Sequence, residues 1–152
     1  MTNNIMINMD ERRKNLMEMI RMNNAGGFLY LMRRSGLDLD GYLPGTKKTY
    51  LQTAIDQGAD KIVAVLVEKQ KNKNVNSLDK YDDMFSSVLS AEARVLSLED
   101  SKLKKDKLYS LLLIAGKLLE TGAVLSKQVM REVNKDTPLA KYLRKQYVSR
   151  LA

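Results

Sequence analysis

Neither cysteine, histidine nor tryptophan occurs in these 152 residues, and proline occurs only twice. The missing cysteine removes disulfides and thiolate metal sites, which suits a reducing compartment without requiring one. The missing histidine removes more. Ser-His-Asp and Cys-His nucleophilic centres, most zinc and iron sites, and the commonest general base near neutral pH are all excluded. Bond-making chemistry would have to rest on carboxylates, lysine or tyrosine, and no motif gathers these. The expectation is therefore a non-enzymatic protein with no cofactor, no metal and no small-molecule substrate.

Long apolar runs are missing too. The most apolar stretch, 108–126, is interrupted by Lys117 and Glu120, short of the roughly 20 residues that span a bilayer. The start, MTNNIMINMDERRK, lacks the basic opening and continuous apolar run of a secretory signal. The expectation is no membrane span and a cytoplasmic location, or a virion location if the source is a phage or virus; the Asn- and Lys-rich composition would suit an AT-rich microbial or phage genome.

What is present is charge and helical periodicity. Apolar residues make up 44% of the chain and charged residues 29%, the proportions of a folded globular domain. The net charge is +8 and unevenly placed. Between Asp79 and Asp100 six acids face Lys80 and Arg94; from Ser101 onward twelve Lys or Arg face four acids. That excess favours an anionic partner without naming one.

Apolar residues recur at helical spacing along most of the chain, predicting an all-α bundle of about six helices. Helices are expected over about 10–22, 28–34, 46–57, 79–98 and 102–134, the last a single long helix with Ala115 and Gly122 as small members of its packing stripe. The run 62–67 is ambiguous, since its branched side chains also suit a buried strand. With no second such run to pair with, it reads as a buried helix. Thr137-Pro138 is an N-cap followed by proline at the first helical position, and opens a basic C-terminal helix. The whole of 1–152 reads as one helical domain, with subregions 1–71 and 77–152 joined by a polar linker at 72–76.

Three motifs are weighed and set aside. GYLPGTKKT, Gly41 to Thr49, carries two glycines and a lysine pair, but a P-loop needs lysine directly after its second glycine, where Thr46 stands. Pro44-Gly45 instead suits the centre of a type II turn, with Thr46 expected to cap the next helix. Asp38, Asp40 and Gly41 miss the ligand positions of a calcium loop, leaving at most a weak magnesium site on Asp38 and Asp40. Ala54 and Gly58 fit a helix-turn-helix, but the following helix would present Ile62, Val65 and Leu66 where base-reading polar groups belong.

Two function classes remain. The first is a helical interaction or structural protein, a phage or viral assembly or virion component among the options, acting by self-association or by packing on protein partners. Its candidate contact residues are Met6, Met9 and Met17, from a methionine-rich start that adapts to irregular apolar surfaces, together with Tyr142 and Tyr147. The second is a sequence-tolerant nucleic-acid binder. It would use Lys141, Arg144, Lys145 and Arg150 of the C-terminal helix, with Lys104 and Lys105 nearby, to neutralise phosphates.

Overall fold

A computed structural model describes residues 3–39, 41–70, 78–133 and 136–151, and within them the chain is all α. Eight helices follow one another: α1 (Asn3–Arg21), α2 (Ala25–Ser35), α3 (Tyr50–Asp56), α4 (Asp60–Gln70), α5 (Leu78–Leu96), α6 (Lys102–Glu120), α7 (Lys127–Glu132) and α8 (Pro138–Leu151). The ambiguous run 62–67 is helix, inside α4. The linker 72–76 and Asp40 lie outside the described residues.

α1 and α2 are packed neighbours joined by a short turn that holds two asparagines. Asn23 adopts φ +53, a left-handed conformation that asparagine tolerates better than most residues. The Asn24 side chain accepts a hydrogen bond from the Gly27 N–H, which caps α2 and starts it three residues before the expected Phe28. Leu16 and Ile20 of α1 and Phe28 and Met32 of α2 belong to the buried core. α1 also begins earlier than expected, at Asn3 rather than near Asp10.

The stretch 41–49 is a turn. Thr46 N–H donates to the Leu43 carbonyl at 3.0 Å, and Gly45 between them has φ +77, the positive value that the third position of a type II turn requires. The expected cap is displaced by three residues. Thr46 spends its hydroxyl on the Leu43 carbonyl at 2.8 Å. Thr49, held by an isolated antiparallel bridge to Tyr42, is the residue that caps α3. Thr49 and Gln52 form a reciprocal capping box, in which each side chain satisfies a backbone donor of the other. Thr49→Ala is expected to lower stability by about 1 kcal/mol, read as a shifted urea midpoint with unchanged slope; Thr46→Ala should move it less.

The expected long helix over 102–134 is broken in two, a correction with a local cause. α6 stops at Glu120, where Thr121 turns its hydroxyl onto the Lys117 and Leu118 carbonyls. Gly122 then takes φ +106, which only glycine adopts without strain. A short extended segment leads to Ser126, whose side chain caps α7 by accepting from the Val129 N–H. Gly122 is thus a breaker, not a member of a packing stripe. This break divides one of the seven segments expected to be helical, giving eight helices among the described residues in place of about six.

One cluster of buried side chains runs through the fold, from Leu16 and Phe28 through Ile55, Ile62 and Phe85 to Leu118, Val129 and Leu143. In α4, Ile62 and Leu66 of the would-be recognition face are fully buried and Val65 is half-buried, so that face is turned mainly into the core. Two polar links tie the layers. Asp56 on α3 meets Lys48 at 2.9 Å and Arg94 of α5 at 3.5 Å. Lys117 on α6 donates to Glu68 of α4 at 2.8 Å, and that hydrogen bond, with the Glu120 carboxylate nearby, holds its ammonium pKa above the usual lysine value.

Candidate functional site

α5 has a core-facing stripe in which Phe85, Val88 and Ala91 are buried, with Leu89 and Val95 packed beside them. Glu92 falls in the same stripe, four residues after Val88 and four before Leu96. The helix therefore carries it inward, and it is only 4% exposed. Among the described residues its carboxyl makes no hydrogen bond or ion pair. Burying such a group without a partner costs several kcal/mol, so its position is informative.

Glu92 borders two openings, one on each side of the start of α8. On one side is an apolar groove of about 270 Å³ lined by Leu96 of α5, Leu108, Tyr109 and Leu112 of α6, and Pro138 and Leu139 of α8. Lys105 and Thr137 stand at the same groove. On the other side is a cleft of about 230 Å³ where Glu92 is joined by Glu132 of α7, whose carboxylate accepts from the Ser86 hydroxyl at 2.9 Å. Thr137 positions the first turn of α8 by accepting from the Ala140 N–H at 3.1 Å, as the Thr-Pro signal predicts.

Both openings are smaller than the roughly 300–1,000 Å³ of ordinary ligand pockets. They have room for one or two side chains. A third, polar opening between α3 and α5 is larger, about 450 Å³, and is lined by Lys48, Gln52, Asp56, Ser86, Ser90 and Arg94 among others. Its two cations already meet Asp56, so no charge there is left for a ligand to answer.

The cations expected to contact phosphate are scattered and partly committed. Arg144 donates to the Val133 carbonyl at 3.2 Å, closing the end of α7. Lys141 lies 3.6 Å from Asp136. Lys104 meets Asp100 at 3.2 Å with its side chain 16% exposed. Lys145 and Arg150 are exposed. Lys105 stands beside the start of α8, whereas Arg150 lies eleven residues beyond Leu139, about 16 Å along the helix axis. Lys105 and Arg150 thus mark opposite ends of α8.

The expected contact residues are placed differently again. Tyr142 and Tyr147 are half-buried against the core, as is Met17. The Tyr142 hydroxyl reaches α6 at Gly116, where an added Cβ would lie 3.3 Å from it. The side chains of Met6 and Met9 lie outside the described residues.

No protein-family model, curated protein or solved structure matches this chain. Among the described residues there is no group of three or more metal-ligating side chains, and no helix is long and apolar enough to cross a membrane. The site therefore has to be argued from its own geometry. Sequence reading missed Glu92, although a signal was there: one carboxylate interrupting an apolar helical stripe. The six acids between Asp79 and Asp100 hide that signal, because together they look like one charged, solvated segment.

Proposed function

We propose that this chain is a non-enzymatic helical interaction protein that binds a protein segment in the groove at the start of α8. The observation that carries the reading is Glu92, a buried carboxylate with no partner among the described residues, at the wall of a groove that is apolar apart from Lys105 and Thr137. Such a groove suits an apolar side chain accompanied by a cation, the combination a protein segment supplies on adjacent turns. Tyr109, 62% exposed at its rim, is an aromatic anchor of the kind enriched at interfaces. A virion or assembly role would be one setting for such a component.

The nucleic-acid reading has less support. Arg144, Lys141 and Lys104 are engaged within the chain, and both tyrosines that would stack on bases are half-buried against the core.

The test is affinity purification of the tagged chain from its native source, with and without nuclease, beside a Leu112→Arg variant that fills the groove with charge. The expected result is a protein companion, a further copy of this chain included, that survives nuclease and is lost with Leu112→Arg. A companion retained by the variant, or a yield consisting only of nuclease-sensitive nucleic acid, would overturn the reading.

A further inference from the structure

α8 carries an apolar stripe at four-residue spacing, Leu139, Leu143, Tyr147 and Leu151. Burial along it is lost towards the C-terminal end. Leu139 is 3% exposed, Leu143 is fully buried, Tyr147 is half-buried, and Leu151 is 69% exposed. The helix overruns the core that its first half packs on. Arg150 continues the line of Leu139 and Leu143, because eleven residues at 100° per residue return to nearly the same direction. The last turn thus carries a cation and, about 100° round the helix from it, an apolar side chain, and Arg150 has no partner among the described residues. Val148, three residues before Leu151 and next to it on the helix surface, is 65% exposed.

The groove at the other end of the same helix has the complementary pair, an apolar lining and the buried carboxylate of Glu92. Arg150 cannot reach its own Glu92, being about 16 Å along α8 from Leu139. We infer that the occupant of the groove is the last turn of α8 from a second copy of this chain, with Leu151 in the apolar lining and Arg150 beside Glu92. The inference rests on the interaction reading above and names its partner. A two-fold arrangement makes the contact twice, since each copy offers one groove and one turn.

Other charges around the groove set the terms. Lys105 shares it with Glu92 without an ion pair between them, Glu132 lies in the adjoining cleft, and Arg144 is held on the Val133 carbonyl. Lys105 is exposed and can swing into water, so its charge does not close the groove. A net charge of +8 on each copy opposes association, but at 0.15 M salt the screening length is about 8 Å and the repulsion is largely confined to near contacts. One helical turn in a small groove buries far less than the roughly 1,200 Å² of a stable specific interface. The association is accordingly weak and concentration-dependent.

Sedimentation velocity over a wide concentration range tests this at 0.15 M salt. Wild type is expected to show a monomer–dimer equilibrium that Arg150→Glu and Leu151→Asp each weaken at least tenfold. Both substituted side chains are exposed, so the thermal melts of these variants should match wild type. Tyr109→Arg blocks the groove from its rim. Alone it should be as monomeric as Leu151→Asp, yet a mixture of the two should form a 1:1 complex through the one intact turn and one intact groove. A wild type that stays monomeric to its solubility limit overturns the inference, as does a dimer indifferent to the α8 substitutions. A monomeric wild type that still captures a different protein in a Leu112-dependent way removes only the second copy and leaves the interaction reading standing.

Discussion

Phe28→Ala is expected to lower stability by about 3–5 kcal/mol, the cost of removing a fully enclosed aromatic side chain from a core that closes only partly around the gap. Phe28 is wholly buried and meets the Tyr50 ring edge-to-face, with centroids 5.8 Å apart at 73°. It therefore joins α2, which the sequence places early, to α3, which begins fifteen residues after α2 ends. The edge-to-face pairing adds about 0.5–1.5 kcal/mol beyond burial. For a protein of ordinary stability, about 5–15 kcal/mol, this single change removes a large share, and chemical denaturation should show it as a lower midpoint. A loss under about 1.5 kcal/mol would mean that the pair is not packed as described.

Tyr50→Phe provides the contrast. Tyr50 is 1% exposed and its hydroxyl has no hydrogen-bond partner among the described residues. Removing that hydroxyl keeps the ring and should leave stability near wild type or slightly above it. Burial pushes the phenol pKa above its ordinary value of 10.0, and the Asp38 carboxylate adds to the shift. The neutral phenol is thus preferred in the fold, and its contribution is fully present below pH 10.0. It is lost as pH rises through the ordinary value towards the raised one, because the unfolded chain ionises first. The Phe variant should lack that part of the alkaline decline.

Asn23→Ala is expected to cost about 2–3 kcal/mol, from two causes acting together: a left-handed backbone that alanine resists, and the loss of a helix cap. α4 follows Ala59, which has no side-chain acceptor to offer the free N–H groups of its first turn. Asn23 supplies one from the α1–α2 turn. Its side-chain oxygen accepts from the Lys61 N–H at 3.0 Å and the Ile62 N–H at 3.4 Å, while its nitrogen donates to Asp60 at 2.9 Å. Asn23→Gly separates the causes. It keeps the left-handed backbone and loses only the cap, so it should cost about 1 kcal/mol. If alanine and glycine prove equal in their denaturation midpoints, the backbone contribution is absent.

Where local chemistry decides the structure, it could be read from the residues. Gly45 and Pro44 specify their turn, Thr137 and Pro138 start α8, and the run 62–67 is helix because no second run was available to pair with it. The first two depend on neighbours only a few positions away, while the third rests on the content of the whole chain. Thr46 and Thr49 mark the limit of that reading. Both are good caps, and the one that starts α3 is the one with Gln52 three residues on to complete a capping box and with the bridge to Tyr42.

Sequence by itself determined the helical class, through the recurrence of apolar residues every three to four positions. It also ruled out imidazole and thiol chemistry, through two residue types that are simply missing. Tertiary structure alone decided which polar side chain is trapped and which apolar ones are left over. Glu92 becomes buried because the start of α8 is laid beside α5 and α6, and Leu151 becomes exposed because, about 120° round α8 from Leu139, it is turned away from the core that Leu139 and Leu143 face. Periodicity shows that a helix has an apolar face, but how far that face is covered depends on where the neighbouring helices stop. That is set by packing between segments distant in the chain.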